Sequence, residues 1–202
     1  NLLNATNAFE LWVDDSTKLA GLPTSSIAVA AEEAKAKSKE GKWLFTLHAP
    51  SRLPLLQYAD NRDLRKQMYE GYTNLASTGE NNNIPVINEI LKVRSQKAAL
   101  LGYADFASYM TANVMAKTPA NAENLLMQIW TPAVQRVKEE VAEMQALADK
   151  EGANIKIEPW DYYYYAEKVR RDKYALDEDE VRAYFQLDNV VEGVFNMASR
   201  LY

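Results

Sequence analysis

His48 is the only histidine in this 202-residue chain, and the chain has no cysteine, so candidates for metal or nucleophilic chemistry are few. A zinc site with three protein ligands draws on several His, Cys, Asp or Glu residues at short spacing, and the neighbours of His48 do not offer that pattern. A Ser-His-Asp arrangement would use the same histidine with a serine on a sharp Gly-x-Ser-x-Gly turn, which is missing. We therefore interpret His48 as a structural or exposed residue, and we expect neither a catalytic residue nor a bound metal in this chain.

A run of four acidic residues, Asp177 to Glu180, is the other candidate for chemistry. It could form a carboxylate pair or a calcium site, but its position before an apolar helical pattern offers a simpler account. Negative charge at a helix start is stabilised by the helix dipole by about 0.3 to 1 kcal/mol per residue. The seven glycines are scattered and form no phosphate-binding loop, so nucleotide binding has no support either.

The tyrosine run is the most informative part of the chain. Asp161 is a good helix N-cap, and the four tyrosines that follow would occupy the first helical turn, where steps of about 100° point them nearly all the way round the axis. One reading buries two tyrosines and leaves two on an ordinary surface. The other makes them an aromatic wall that faces a substrate channel or another part of the protein. The residues with a substrate- or lobe-facing role would be Trp160, Asp161, Tyr162, Tyr163, Tyr164 and Tyr165.

The elements that must position these residues are mostly helical. Alternating apolar residues at Phe9–Val13 and Trp43–Leu47 predict two strands that can pair as a ribbon. Further patterns predict a helix from Pro23 to Glu40 that stops at Gly41, and a helix capped by Asp60 that runs to about Ala76. Later helices are predicted at 84–102, 105–113, 118–152, 161–174, 177–185 and 190–201, with a kink or break at Pro132 and a mobile loop at 150–158.

Several motifs agree in order and spacing with one known family. They are Ala20-Gly21-Leu22-Pro23, the stretch from Lys97 to Phe106, Ala116-Lys117-Thr118-Pro119, Pro159-Trp160-Asp161 with the tyrosines, Lys173 to Asp177, Tyr184-Phe185 and Val191 to Phe195. Together they span almost the whole chain. The sequence resembles the thimet oligopeptidase and peptidyl-dipeptidase family of zinc metallopeptidases, and its details are closer to the bacterial peptidyl-dipeptidases. The family's His-Glu-x-x-His zinc motif is absent from these residues.

This resemblance implies a mainly α fold: a multi-helical lobe with a small two-stranded element, belonging to a neurolysin-like, two-lobed peptidase built around a deep channel. Residues 1–202 would be one helical segment of its N-terminal half. The resemblance also implies short peptides as substrates, the C-terminal catalytic half of the same protein as a partner, and zinc held there. No catalytic residue is carried over to this chain, whose own contribution would be channel wall.

Charge and composition limit which other partners can be expected. The net charge of -5 and the lack of clustered Lys and Arg argue against a nucleic-acid partner. Apolar stretches fall short of the roughly 20 residues that span a bilayer, so no membrane association is expected. We expect a cytoplasmic protein, with the periplasm as the alternative.

Two function classes remain open from the sequence. Neither terminus has the features of a natural start or stop, so we expect an excised piece of a longer zinc peptidase, inactive alone. The sequence favours a peptidyl-dipeptidase that releases C-terminal dipeptides but does not exclude an endo-acting oligopeptidase. The alternative from another class is a non-catalytic helical binding or scaffold protein.

Overall fold

A computed structural model describes residues 1–175, 181 and 184–201, and this part of the chain is mainly helical with one small sheet, as predicted. The acidic run 177–180 lies outside the described residues. Single 3-10 turns lie at Ser16–Leu19 and Pro159–Asp161. In chain order the other elements are α1 (Leu2–Ala8), β1 (Leu11–Val13), α2 (Thr24–Ala36), β2 (Trp43–Phe45), α3 (Ala49–Tyr58), α4 (Arg62–Thr73), α5 (Ile84–Leu100), α6 (Phe106–Thr111), α7 (Pro119–Lys150), α8 (Tyr162–Tyr174) and α9 (Leu187–Leu201).

The predicted ribbon is confirmed. Strands β1 and β2 pair antiparallel, with Trp12 opposite Leu44 at the centre of the register. Val13 and Phe45 lie on the same face of the ribbon and are buried, and Leu44 is buried on the opposite face. The alternation of apolar residues was the signal that predicted both strands.

Helix α2 ends earlier than predicted. It stops at Ala36, and Ser38 adopts a left-handed conformation with φ of 58°. The backbone N–H of Lys39 then donates to the carbonyl of Ala34 at 3.0 Å, which closes the helix end. The prediction of Glu40 followed Gly41, the residue expected at such a stop, but here a serine takes the left-handed position three residues sooner.

The entry to α4 also differs from the prediction. Asn61, and not Asp60, caps the helix, since its side-chain oxygen accepts from the N–H of Leu64 at 3.1 Å. The carboxylate of Asp60 instead accepts a hydrogen bond from Tyr164. Helix α3, which was not predicted, precedes this turn and contains Pro54 in its interior.

Sequence signals near the end of α5 and the start of α6 predicted the positions of these two helices well. Gly102 takes φ of 80° after α5, and the N–H of Tyr103 donates to the carbonyl of Ala98 at 2.9 Å. Asp105 then caps α6 by accepting from the N–H of Ser108 at 2.7 Å. Both devices depend on residues within a few positions, so the sequence alone predicts them.

The longest helix is α7. Thr118 caps its start by accepting from the N–H of Asn121 at 3.2 Å, and Gly152 follows its end with φ of 72°. The helix continues through Pro132 without the break that was one of the two predicted outcomes. Its final turns pack against α8.

The described residues contain two hydrophobic cores. The first joins β1, β2, α2, α3 and α4 around Leu11, Val13, Phe45, Leu55, Leu56 and Met68. The second is smaller and joins the end of α7 to α8 through Met144, Ala148, Tyr164 and Tyr165. Helix α8 lies between them and contacts both α3 and α7. The tyrosine run thus lies between the two cores.

Candidate functional site

The four tyrosines divide between the interior and the surface. Tyr164 and Tyr165 are only 8% and 3% exposed, whereas Tyr163 is 49% exposed and Tyr162 is intermediate. This division follows from helical geometry, because neighbouring residues point about 100° apart and one side of α8 packs on the cores. Tyr162 and Tyr163 therefore form the part of the run that another molecule or segment can reach.

Asp161 has a different role from the one predicted. Its side chain does not cap α8. It is completely buried and forms two ion pairs, with Arg62 and with Arg65, each at 2.8 Å. The N–H of Glu158 also donates to this carboxylate at 3.1 Å. A buried charge requires such partners, and the arginines that provide them are about a hundred residues away in sequence.

These contacts keep Asp161 ionised. Burial by itself would raise the pKa of its carboxyl, but hydrogen bonds from Arg62, from Arg65 and from the N–H of Glu158 outweigh burial and hold the pKa below its usual value. The same carboxylate raises the pKa of Arg62. The cluster is therefore a stable ion triad and not a proton donor near neutral pH.

Arg65 links the triad to the first core. It is almost fully buried, donates to the carbonyl of Ala59 at 2.7 Å and to that of Asp60 at 3.1 Å, and lies 4.0 Å over the ring of Tyr164. The hydroxyl of Tyr164 in turn donates to Asp60 at 2.8 Å. The start of α4 and the first turn of α8 are thereby fixed to each other.

A second buried carboxylate, Glu167, lies on α8 six residues after Asp161, nearly two helical turns further along. It accepts from Gln57 of α3 at 3.1 Å, from Arg170 at 2.8 Å and from Arg171 at 2.9 Å. Burial would raise the pKa of Glu167, but these hydrogen bonds lower it overall. We use the term junction for the six residues that make these contacts across α3, α4 and α8: Gln57, Asp60, Arg62, Arg65, Asp161 and Glu167.

The segment before α8, predicted to be mobile, is tied down in its second half by two helices. Gln145 of α7 donates to the carbonyl of Ile155 at 2.7 Å and accepts from the N–H of Ile157 at 2.9 Å. Arg62 of α4 donates to the carbonyl of Lys156 at 3.1 Å. Both donors are distant in sequence, so local composition could not reveal them.

A cleft of about 420 Å³ opens where these elements meet. Its walls come from α4, α7, the 157–159 segment and the first turn of α8. The rings of Tyr162 and Tyr163 pack edge to face, 6.1 Å apart, and Tyr69 packs in the same manner on Trp160 at 6.3 Å. The residues that line the cleft are Tyr69, Val141, Ile157, Glu158, Pro159, Tyr162 and Tyr163.

Trp160 packs on Tyr69 but is not part of the lining. Arg62 and Lys66 lie over its ring at 5.7 and 5.0 Å. Its Nε1 is buried and, across the residues that the structure covers, has no hydrogen-bond partner. Of the six predicted residues, Tyr162 and Tyr163 line the cleft and the other four do not.

Sequence reasoning missed Arg62, Arg65, Tyr69 and Gln145. The only available signal was the placement of Arg65 directly after Leu64 on a helix face that also carries Met68, where a charge needs a buried partner. His48 is exposed just before α3. Within the described ranges, no group of three or more His, Cys, Asp or Glu residues could hold a metal ion, and no helix is long and apolar enough to cross a membrane.

Large apolar surfaces lie away from the junction. The accessible surface of the chain is 14266 Å², whereas a folded monomer of 22.9 kDa has about 9,600 Å². We use the term apolar arm for α5, the first half of α7 and α9, where most of the exposed large apolar residues of the described part lie. Their exposed residues include Ile87, Ile90, Leu91, Leu126, Ile129, Trp130, Val194, Phe195 and Leu201.

Within the described residues, the fold and the junction define a helical scaffold that presents an aromatic cleft beside uncovered apolar helices. Residues 55–202 match the family model for peptidase family M3. The chain belongs to this peptidase family, as the motifs indicated.

Curated relatives align with the whole chain. It is 37% identical to the probable cytosolic oligopeptidase A of Arabidopsis thaliana, 37% identical to the dipeptidyl carboxypeptidase of Escherichia coli K12 and 36% identical to the oligopeptidase A of the same strain. In each case the alignment covers 100% of this chain and 30% of the relative. The chain thus spans less than a third of the length of these relatives.

Proposed function

We propose that this chain is part of a longer zinc metallopeptidase that cleaves short peptides and releases dipeptides from their free C-termini. The observation that carries the proposal is the match to peptidase family M3 together with 37% identity to a dipeptidyl carboxypeptidase along the whole chain. The large excess of exposed apolar surface supports it, because monomers rarely leave such surfaces uncovered.

The chain itself has an architectural role in this proposal. The junction holds α8 rigidly, and α8 presents Tyr162 and Tyr163 as channel wall. Trp160, Asp161, Tyr164 and Tyr165 support that wall from behind. The apolar arm packs against the remaining part of the same polypeptide, including its catalytic half.

Zinc does not fit the described residues of this chain. His48 is exposed at the end of the ribbon, and no acidic or thiol residues converge on it to complete a ligand set. A zinc site needs three protein ligands in close proximity. We therefore assign the metal to the part of the polypeptide outside these residues and derive no reaction step through it here.

The most specific part of the proposal is that the peptidase releases dipeptides. Relatives named dipeptidyl carboxypeptidase and oligopeptidase A match the chain at nearly equal identity, so an endo-acting oligopeptidase is the second candidate. A relative named as cytosolic supports a cytoplasmic location. A scaffold protein without peptidase activity is the alternative from another class.

The test is an assay of the longer polypeptide that contains these residues. We expect it to bind zinc and to release a C-terminal dipeptide from an N-acetylated pentapeptide, but not from the same peptide with a C-terminal amide. The 202-residue chain alone should do neither. Equal cleavage of both peptides would favour the oligopeptidase, and absence of hydrolysis in the zinc-loaded longer polypeptide would overturn the proposal.

A further inference from the structure

We propose that the cleft between α4, α7 and α8 is a binding subsite for one aromatic side chain of a peptide. The inference rests on the proposed function in one respect, since it takes peptides as the ligands. It goes further because it assigns to this cleft, which has a volume of about 420 Å³, a preference for one kind of peptide side chain. That volume is at the lower end of ligand sites, which suits one side chain with its adjoining backbone.

The lining favours an aromatic ligand. Three of the seven lining residues are tyrosines, and Val141, Ile157 and Pro159 add apolar contacts. Tyr162 and Tyr163 already make an edge-to-face pair with planes at 89°, so each offers a ring face or edge to a further ring. Aromatic rings prefer edge-to-face or offset-stacked contacts with one another, and such pairs add stabilisation beyond the burial of their area.

The backbone of the cleft cannot recognise a peptide by strand addition. The N–H of Ile157 donates to Gln145, the N–H of Glu158 donates to Asp161, and Pro159 has no N–H. Strand addition requires free main-chain donors and acceptors along an edge. Recognition must therefore come from the side chain that enters the cleft.

The charge of the lining further restricts the kind of ligand that can bind. Glu158 is the only charged residue in the lining, so the cleft disfavours an anionic group. A peptide's terminal carboxylate is therefore disfavoured as the occupant, whereas a neutral aromatic residue within a peptide is compatible.

The cleft is also held in place before any ligand binds. Gln145 and Arg62 fix the backbone at Ile155, Ile157 and Lys156 from two sides, and the Asp161 triad fixes the start of α8. A site that is already ordered avoids the entropy cost of ordering it on binding.

The experiment uses the 202-residue chain and N-acetyl-phenylalaninamide, with N-acetyl-alaninamide as the control ligand. Methyl resonances of Ile157 and Val141 report on the cleft, and that of Ile129 reports on the apolar arm. We expect saturable shifts at Ile157 and Val141 with the phenylalanine compound, with a Kd on the order of 1 mM. The inference would be overturned if the shifts did not saturate and were equally large at Ile129. It would also be overturned if the alanine compound shifted Ile157 and Val141 as much as the phenylalanine compound does.

A matched pair of variants sharpens the test. Tyr163→Ala removes one wall of the cleft and should weaken binding about three- to tenfold. Tyr174→Ala removes an exposed tyrosine from the other end of α8, away from the lining, and should leave binding unchanged. Both residues are exposed, so the unliganded spectra should show intact folds. Equal binding by the two variants would contradict the inference.

The outcome separates this inference from the proposed function. If the phenylalanine compound fails to bind while the longer polypeptide hydrolyses peptides, the subsite is wrong and the peptidase proposal stands. If it binds and the longer polypeptide has no hydrolytic activity, the subsite stands and the peptidase proposal falls.

Discussion

The junction and the apolar arm differ in whether their side chains have found partners within the described residues. At the junction, buried charges such as Asp161 and Glu167 have two or more partners each. In the apolar arm, residues such as Ile90, Ile129 and Phe195 remain in contact with water. The two buried carboxylates of the junction are therefore satisfied within the described residues, whereas the arm has the character of a surface that another part of a protein covers.

The largest effect should follow from breaking the junction. Asp161→Ala leaves Arg65 as a buried charge without its carboxylate, and this should lower the free energy of unfolding by about 3 to 5 kcal/mol. Urea unfolding followed by circular dichroism measures the change. The matched control is Asp14→Ala at an exposed position, which should stay within about 0.5 kcal/mol of the parent chain. If both variants unfold at the same urea concentration, the junction does not hold the two cores together.

A pair of apolar truncations compares the two regions directly. Leu55 is fully buried in the first core, so Leu55→Ala should cost about 2 to 5 kcal/mol of stability. Ile129 in the arm is 61% exposed, and Ile129→Ala should change stability by less than about 0.5 kcal/mol while reducing the binding of a hydrophobic dye. An equally large loss in both variants would show that the arm is already packed in this chain.

The smallest of the stability effects is a dependence on pH. The pKa values of Asp161 and Glu167 are lowered in the folded state, so their stabilisation is fully present above the unfolded values of about 4. It is lost as the pH falls from there through the lower folded pKa values. The urea midpoint should therefore fall steeply below about pH 4.

A variant assigns this acid sensitivity to the junction. Glu167→Gln removes one of the two carboxyls, so its stability should fall less steeply with acid than that of the parent chain. The exposed Glu123→Gln should keep the parent slope. Identical slopes for the parent and both variants would mean that other carboxylates control acid unfolding.

The comparison also explains what the sequence could predict. Helix ends at Gly102, Asp105 and Thr118 were predicted correctly because each depends on contacts within a few residues. The ribbon was predicted because alternation of apolar residues is visible locally. These signals describe elements and not their packing.

Features that depend on distant partners were missed or misplaced. Asp161 was expected to cap α8 because a helix start follows it, but Arg62 and Arg65 from α4 take its oxygens instead. Asp60 lost its expected capping role because Tyr164 binds it from across the junction. For the candidate site, the sequence located the aromatic residues but could not indicate which of them the junction would bury.

Hydrogen exchange, compared between the 202-residue chain and the longer polypeptide that we propose, tests the central claim most directly. We expect amides of α5, the first half of α7 and α9 to exchange at least tenfold more slowly in the longer polypeptide, on the order of 1.4 kcal/mol of added protection. Amides of α3 and α4 in the first core should change far less. Unchanged exchange throughout the apolar arm would contradict the claim that this chain is one wall of a larger peptidase.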